Sequence, residues 1–164
     1  MHRRRRLPLL RCSRSGAGPP RPFPRRSQPR VTPAPVVITT LEGVDALVDD
    51  LLDGEDDCCT LAEVYSQDRE SHPSGFPDHQ LVVGADRSLG LGLVSYMDQK
   101  GNFTSVGAPE TRTRPTYHFV WNMTQFADHS EIPIPLVRQA VKEFLASGGQ
   151  RPTCIEWQPE TFGA

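Results

Sequence analysis

The chain changes character near residue 36, and this change limits what it can fold into. Residues 1–41 hold ten arginines and no acidic residue, because Glu42 is the first carboxylate. Eight of the sixteen prolines also precede Val36. A segment of this composition cannot bury enough apolar surface to offset the entropy lost when it is ordered. We therefore expect residues 1–35 to be a disordered tail and residues 36–164 to form a single domain.

Three interpretations of this Arg/Pro-rich tail are compatible with its sequence. It is inert sequence, or the translation start has been placed too early in a GC-rich gene and the protein begins near Val31 or Val36. The arginine runs Arg3–Arg6 and Arg25–Arg26 could attract phosphates by charge alone, so a nucleic-acid-binding protein is a further alternative. A secretory signal is not indicated, since the apolar stretch Leu7–Leu10 is too short for one.

The remaining sequence is strongly acidic. From Glu42 onward there are 20 acidic residues and 8 lysines plus arginines, a net charge of −12. Such a body repels nucleic acid, so we expect the folded domain not to bind it. No run approaches the ~20 apolar residues that a membrane span needs, and we expect no membrane partner. With no export signal and no disulfide framework among the four cysteines, we expect a cytoplasmic protein.

Hydrophobic periodicity predicts two helices. Apolar residues at helical spacing from Leu41 to Leu52 predict the first, which Gly54 ends, with Thr39 and Glu42 at the spacing of a capping box. The second is predicted from Pro135 to Ser147, where a Gly-Gly pair ends it.

Segments rich in β-branched or alternating apolar residues predict the strands. They are Val36–Thr39, Thr60–Tyr65, Gln80–Gly84, Leu89–Tyr96, Phe103–Val106, Thr116–Trp121 and a short last strand containing Ile155 and Trp157. Together with the helices they predict an α+β fold with a central, mostly antiparallel sheet of about six strands.

No segment has the pattern of a catalytic or metal site. Ser95, Cys154, His118 and His129 are residue types used in nucleophilic catalysis, but no local signature surrounds them. The cysteines and histidines lack paired zinc-ligand spacing, and the acidic run from Asp53 to Asp57 lacks the spacing of a calcium loop. We therefore predict no enzyme, no catalytic residue, no metal and no cofactor.

Two features suggest a binding surface instead. An acidic run lies at the C-terminal end of the first predicted helix, which is the unfavourable end of the helix dipole for negative charge. A solvated loop explains such a run, and so does a cationic partner. A tryptophan at a strand end can also anchor an interface. The candidate binding residues are Asp49, Asp50, Asp53, Glu55, Asp56, Asp57 and Trp121.

Several segments together resemble one known family. These are the glycine-punctuated strand Leu89–Tyr96, the turn that ends at Gly101, the strand that ends at Trp121, and the closing Arg151-Pro152-x-x-Ile155-Glu156-Trp157-Gln158. On these motifs, residues 36–158 resemble the first-numbered family of immunity proteins of bacterial polymorphic toxin systems, best known from actinobacteria. The resemblance implies a cytoplasmic α+β protein that binds a cognate toxin, commonly a nucleic-acid deaminase.

The charge of the domain is consistent with that implication. A deaminase that extrudes a base needs a basic groove around its zinc pocket, and an acidic inhibitor would associate rapidly with it. We expect the protein to neutralise its toxin by occluding the active site with its acidic surface. A small non-enzymatic interaction module with no toxin partner is the alternative, because a fold does not determine a function.

Overall fold

The computed structural model describes residues 7–10, 35–53, 59–119 and 122–160. Within them are two helices, α1 (Leu41–Leu52) and α2 (Ile134–Ser147). Neither is long and apolar enough to cross a membrane. The strands are β1 (Leu7–Leu10), β2 (Pro35–Ile38), β3 (Leu61–Val64), β4 (Gln80–Asp86), β5 (Leu91–Asp98), β6 (Gly101–Ser105), β7 (Thr116–Phe119), β8 (Asn122–Gln125), β9 (Ile132–Pro133) and β10 (Trp157–Pro159).

Eight of these strands form one sheet. Its order is β10-β6-β5-β4-β3-β1-β2, and β9 pairs with β5 outside this path. Strands β7 and β8 form a separate hairpin. Every strand pair within the described residues is antiparallel. The predicted α+β fold, with two helices and a mostly antiparallel sheet, is confirmed.

The sheet is covered on both faces, and alternation along β4 shows how. Leu81, Val83 and Ala85 belong to the core that the sheet shares with the helices, whereas Val82 packs on the opposite face against a second core. The β7–β8 hairpin covers that opposite face through Tyr117 and other side chains. Burying each large apolar side chain stabilises the fold by about 1.5–3 kcal/mol, so both layers contribute. The buried helix residues are Val44, Leu47, Val48 and Leu51 of α1 and Ile134, Val137, Ala140, Val141, Phe144 and Leu145 of α2.

The predicted helix ends differ from the observed ones at the cap of α1 and at the first residue of α2, which is Ile134 rather than Pro135. The side chain of Thr40, not Thr39, caps α1 by accepting a hydrogen bond from the backbone N–H of Gly43 at 3.1 Å. The predicted cap at Thr39 is therefore wrong by one residue, because Thr40 is the residue with extended backbone immediately before the helix. Helix α2 ends as predicted, with Gly148 in the left-handed conformation at φ 73°.

Three strands, β1, β8 and the two-residue β9, had no sequence prediction. Strand β1 lies within the predicted tail and pairs with both β2 and β3. The rest of that tail, residues 1–6 and 11–34, lies outside the described residues, and its disorder stays a prediction. The strand predicted to reach Trp121 is described as far as Phe119, and the chain resumes as β8, which pairs back along β7. Cys59 forms a disulfide, which the cysteine spacing did not predict.

Candidate functional site

The structure describes three of the seven candidate binding residues. Asp49 and Asp50 lie on α1, and Asp53 follows its last residue; all three are exposed. The other four candidates, Glu55, Asp56, Asp57 and Trp121, lie outside the described residues.

Part of the acidic face of α1 is neutralised by α2. Lys142 Nζ lies 2.7 Å from Asp45 Oδ2, and Arg138 Nη1 lies 3.3 Å from Asp45 Oδ1. Arg138 also forms an ion pair with Asp49. The hydrogen bond from Lys142 holds the pKa of Asp45 below its usual value. Asp49 is therefore tied into an ion-pair network between the two helices.

Asp53 is held much more loosely. Its carboxylate lies 3.5 Å from Arg87 Nη1 in the turn between β4 and β5, and both side chains are about three-quarters exposed, at 76% and 75%. An ion pair this exposed contributes little free energy, typically about 0–1 kcal/mol, because water and salt screen it. The contact nevertheless places the end of α1 beside the β4–β5 turn.

The described segments that flank the two predicted patches lie side by side in the fold. Thr60, which follows residues 54–58, donates its backbone N–H to the carbonyl of His118 at 3.0 Å. Its side-chain oxygen accepts the backbone N–H of His118, also at 3.0 Å. His118 lies on the strand that leads into residues 120–121. The chain therefore approaches the acidic run and Trp121 through two segments that are hydrogen-bonded side by side.

A third contact joins this pair to the β4–β5 turn. The backbone N–H of Ala85, near the end of β4, donates to the carbonyl of Thr60 at 3.0 Å. Asp53, beside Arg87 in the same turn, is thus close in the fold to the start of β3 and to the end of β7. We call the residues Asp49, Asp50, Asp53, Glu55, Asp56, Asp57 and Trp121 the acidic end.

A buried carboxylate attaches the β7–β8 hairpin to the rest of the fold. The side chain of Glu131 is fully buried and accepts hydrogen bonds from Arg112 Nε at 3.0 Å and from the Tyr117 hydroxyl at 2.7 Å. Arg112 also contacts Asp86 at 3.1 Å. Burial raises the pKa of Tyr117, and the hydrogen bond to Glu131 raises it further, so the phenol remains a donor.

A second buried network surrounds His79. The backbone N–H of Ser66 donates to His79 Nε2 at 2.8 Å, so the ring proton is on Nδ1, which lies 2.8 Å from Asp78 Oδ1. Burial lowers the pKa of His79, which keeps the ring neutral. The other oxygen of Asp78 accepts from Arg69 at 2.7 Å. With one nitrogen accepting and the other donating, His79 is satisfied within the fold.

The residue types of nucleophilic catalysis also have structural partners. His129 Nδ1 lies 2.8 Å from the carbonyl oxygen of Thr111. Cys154 is a free thiol whose pKa is raised to about 11, chiefly by burial, which suppresses the reactive thiolate. Among the described residues, no three His, Cys, Asp or Glu side chains are grouped so that they could hold a metal ion.

Comparison with known proteins identifies the family. The family described as Immunity protein Imm1 matches residues 32–159, which is more than three quarters of the chain. The chain belongs to the Imm1 family of immunity proteins. No curated protein matches the chain. Membership of the Imm1 family confirms the predicted resemblance and implies that the partner is a toxin.

The Imm1 match also shows which part of the chain the family shares. It begins just before β2 and runs through β10, so it includes both helices and all seven candidate binding residues. Strand β1 and most of the arginine-rich tail lie before it. The Imm1 region is therefore the acidic body of the protein.

Proposed function

We propose that this Imm1 protein acts in the cytoplasm as a non-enzymatic inhibitor of a polymorphic toxin, that the toxin is a nucleic-acid deaminase, and that the acidic end occludes its active site. Family membership supports toxin inhibition. The deaminase assignment is supported by charge, since an enzyme that binds nucleic acid around a base pocket presents a basic surface. An inhibitor with a net charge of −12 in its body complements such a surface.

The observation that carries the choice of surface is the pairing of Thr60 with His118. Its two hydrogen bonds, both 3.0 Å long, bring together the segments that flank residues 54–58 and residues 120–121. An interface built there would combine carboxylates, which accelerate encounter, with a tryptophan, the residue type most often found at energetic hot spots. The carboxylates and Trp121 would then contribute to one toxin interface.

The internal ion pairs rank the described acids. Among the described residues, the carboxylate of Asp53 has one ion-pair partner, the exposed Arg87 at 3.5 Å, and a toxin cation can replace it at little cost. Asp49 is paired with Arg138, whose side chain is only 23% exposed because it also bonds Asp45. Recruiting Asp49 to a toxin would break an inter-helix contact. We therefore propose that Asp53 contributes more to toxin binding than Asp49.

The test is neutralisation of the charge at the acidic end. A variant carrying Asp53→Asn, Glu55→Gln, Asp56→Asn and Asp57→Asn should associate with the toxin at least about tenfold more slowly at low ionic strength, because steering depends on charge near the contact. Its association rate should also depend less on salt. Stopped-flow association with an inactivated toxin domain, at two salt concentrations, measures both effects.

The matched control removes the same charge elsewhere. Glu42, Glu70, Glu110 and Glu156 are exposed, and their replacement by glutamine changes the net charge equally. At about 0.1 M ionic strength the control variant should retain toxin association within about threefold of the wild type, since distant charges are then screened beyond about 10 Å. If the acidic-end variant keeps both its affinity and its salt dependence, the proposed surface is wrong. If both variants slow equally, net charge rather than the acidic end is responsible.

A further inference from the structure

A groove lies at the opposite end of the sheet from Asp53 and the β4–β5 turn. Strand β5 begins beside the β4–β5 turn and ends at Asp98. The groove, of about 370 Å³, opens at this Asp98 end of the strand. It lies between the β5–β6 turn and the segment that follows α2. Its lining includes two cations, Lys100 and Arg151, together with the ring of Trp157. We call it the cationic groove.

Arg151 is held in place by aromatic rings. Its guanidinium lies 4.4 Å from the ring centre of Phe103 and 6.0 Å from that of Trp157. The Trp157 ring is itself fixed, because its indole N–H donates to the carbonyl of Pro152 at 2.8 Å. Contact with aromatic faces stabilises a guanidinium and restricts its orientation while leaving the N–H edge available to a ligand. Arg151 is therefore positioned in advance of binding.

The cations of this groove differ from most others in the domain. Arg69, Arg87, Arg112, Arg138 and Lys142 each lie within ion-pair distance of a carboxylate. Lys100 and Arg151 have no such partner within the described part of the chain, and both are exposed. In a body with a net charge of −12, two cations without an ion-pair partner in one groove are an unusual concentration of positive charge.

The balance of charge in the groove indicates the charge of its ligand. Asp98 also lines it, so the three charged side chains sum to +1. That balance suits a ligand group with a single negative charge. Nucleic acid and other polyanions are opposed by the acidic body and by Asp98 itself. The paired N–H donors of a guanidinium bind a carboxylate in a bidentate manner, and they bind phosphate oxygens equally well, so it is the charge balance that favours the singly charged carboxylate.

We propose that the cationic groove binds a carboxylate side chain presented by an acidic segment of a protein partner, with Arg151 as its bidentate donor and Lys100 as the second cation. The groove is open at the surface and large enough for one or two side chains, as expected for a peptide contact rather than for an enclosed small molecule. This binding site is independent of the acidic end, and it does not require that the toxin be its ligand.

The probe for this proposal is a short acidic peptide, acetyl-Ala-Glu-Ala-amide, added to the full chain labelled for NMR. Site-resolved signals are needed because the arginine-rich tail also attracts anions. The Trp157 indole N–H, the Arg151 side-chain N–H and the Gln150 amide should shift in a saturable manner. The glutamine twin of the peptide should leave them unchanged at the same concentrations, and inorganic phosphate should bind these sites less tightly than the glutamate peptide does.

Two substitutions and a matched control complete the test. Lys100→Gln and Arg151→Gln should each weaken glutamate-peptide binding about tenfold, the value of one charge-assisted hydrogen bond. Arg114 is a third exposed cation without a carboxylate partner in the described residues, so Arg114→Gln should change the peptide affinity less than about twofold. Because Arg151 also packs on aromatic rings, thermal unfolding must show that its variant is folded, and Lys100→Gln provides the same test without that complication.

Three outcomes would overturn the proposal. The glutamine peptide could shift the groove signals as much as the glutamate peptide, which would show that charge is not recognised. Phosphate could bind more tightly than the glutamate peptide, which would make this a phosphate site. Arg114→Gln could weaken binding as much as Lys100→Gln, which would show that the effect is general electrostatic attraction. Each outcome is independent of whether the protein neutralises a toxin.

Discussion

Replacement of Glu131 by alanine should lower the free energy of unfolding by about 3 kcal/mol. The substitution leaves the Tyr117 hydroxyl in a buried site without the carboxylate that accepts its hydrogen bond at 2.7 Å, and an unsatisfied buried donor costs about 1–3 kcal/mol. It also removes two hydrogen bonds from Arg112, which is left with Asp86. Urea unfolding of the variant and the wild type, followed by tryptophan fluorescence, measures the difference.

The loss of stability should be largest in the β7–β8 hairpin. Because Tyr117 lies on β7, hydrogen exchange in β7 and β8 should accelerate more than exchange in β4 and β5. Asp86→Asn is the matched control, since it removes the other carboxylate near Arg112 but leaves Glu131 in place. The free energy of unfolding of that variant should fall by less than about 1 kcal/mol, as is usual for a partly exposed ion pair. If Glu131→Ala proves no less stable than Asp86→Asn, the hairpin is not held by this carboxylate.

Replacement of Gly149 by alanine should be similarly damaging, at about 3 kcal/mol. Gly149 has φ +92°, and an added Cβ would lie 2.5 Å from the Cβ of Ser66 and 3.1 Å from Arg69 Cδ. The left-handed backbone costs an L-residue about 1–2 kcal/mol, and overpacking adds about 1–3 kcal/mol. The carbonyl of Gly149 also accepts from Arg69 and from the Tyr96 hydroxyl, at 3.1 and 3.3 Å, so any displacement strains those contacts.

Substitution of Gly75 measures the backbone contribution without the overpacking contribution. Gly75 also has a positive φ, +83°, but an added Cβ would meet no atom within 4 Å. Gly75→Ala should therefore lose only the backbone contribution of about 1–2 kcal/mol. Thermal unfolding of both variants measures the difference. Equal losses would show that the region around Gly149 can move aside, and that its close packing against Ser66 is not required.

The helices and most strands could be predicted because their signals are local. Apolar spacing placed the first helix at residues 41–52, which are the bounds of α1, and it placed α2 within one residue of its start. The hairpin was harder to predict. Its two strands are separated by Val120 and Trp121, which provide none of the glycine or asparagine signals of a tight turn, so the alternation continued into Trp121 without a visible break.

The contacts that organise the candidate site could not be predicted from one sequence. Thr60 and His118 are 58 residues apart, and neither carries a pattern that indicates the other. Glu131 appears in the sequence as one more acid of a polar loop, yet its side chain is fully buried against Arg112 and Tyr117. Charge and composition identified the acidic residues, but which of them are paired internally depends on tertiary contacts.

The most direct test of the central claim is rescue from the toxin. Residues 31–164 and, in parallel, the full chain would be co-expressed in bacteria with a cognate toxin domain, and survival would be scored together with isolation of the complex. The account predicts survival and a stable one-to-one complex with the full chain. The shorter form lacks β1, which lies between β3 and β2, and it shows whether the Imm1 region from residue 32 suffices. Cell death without a complex, in the presence of soluble and folded full chain, would contradict the account.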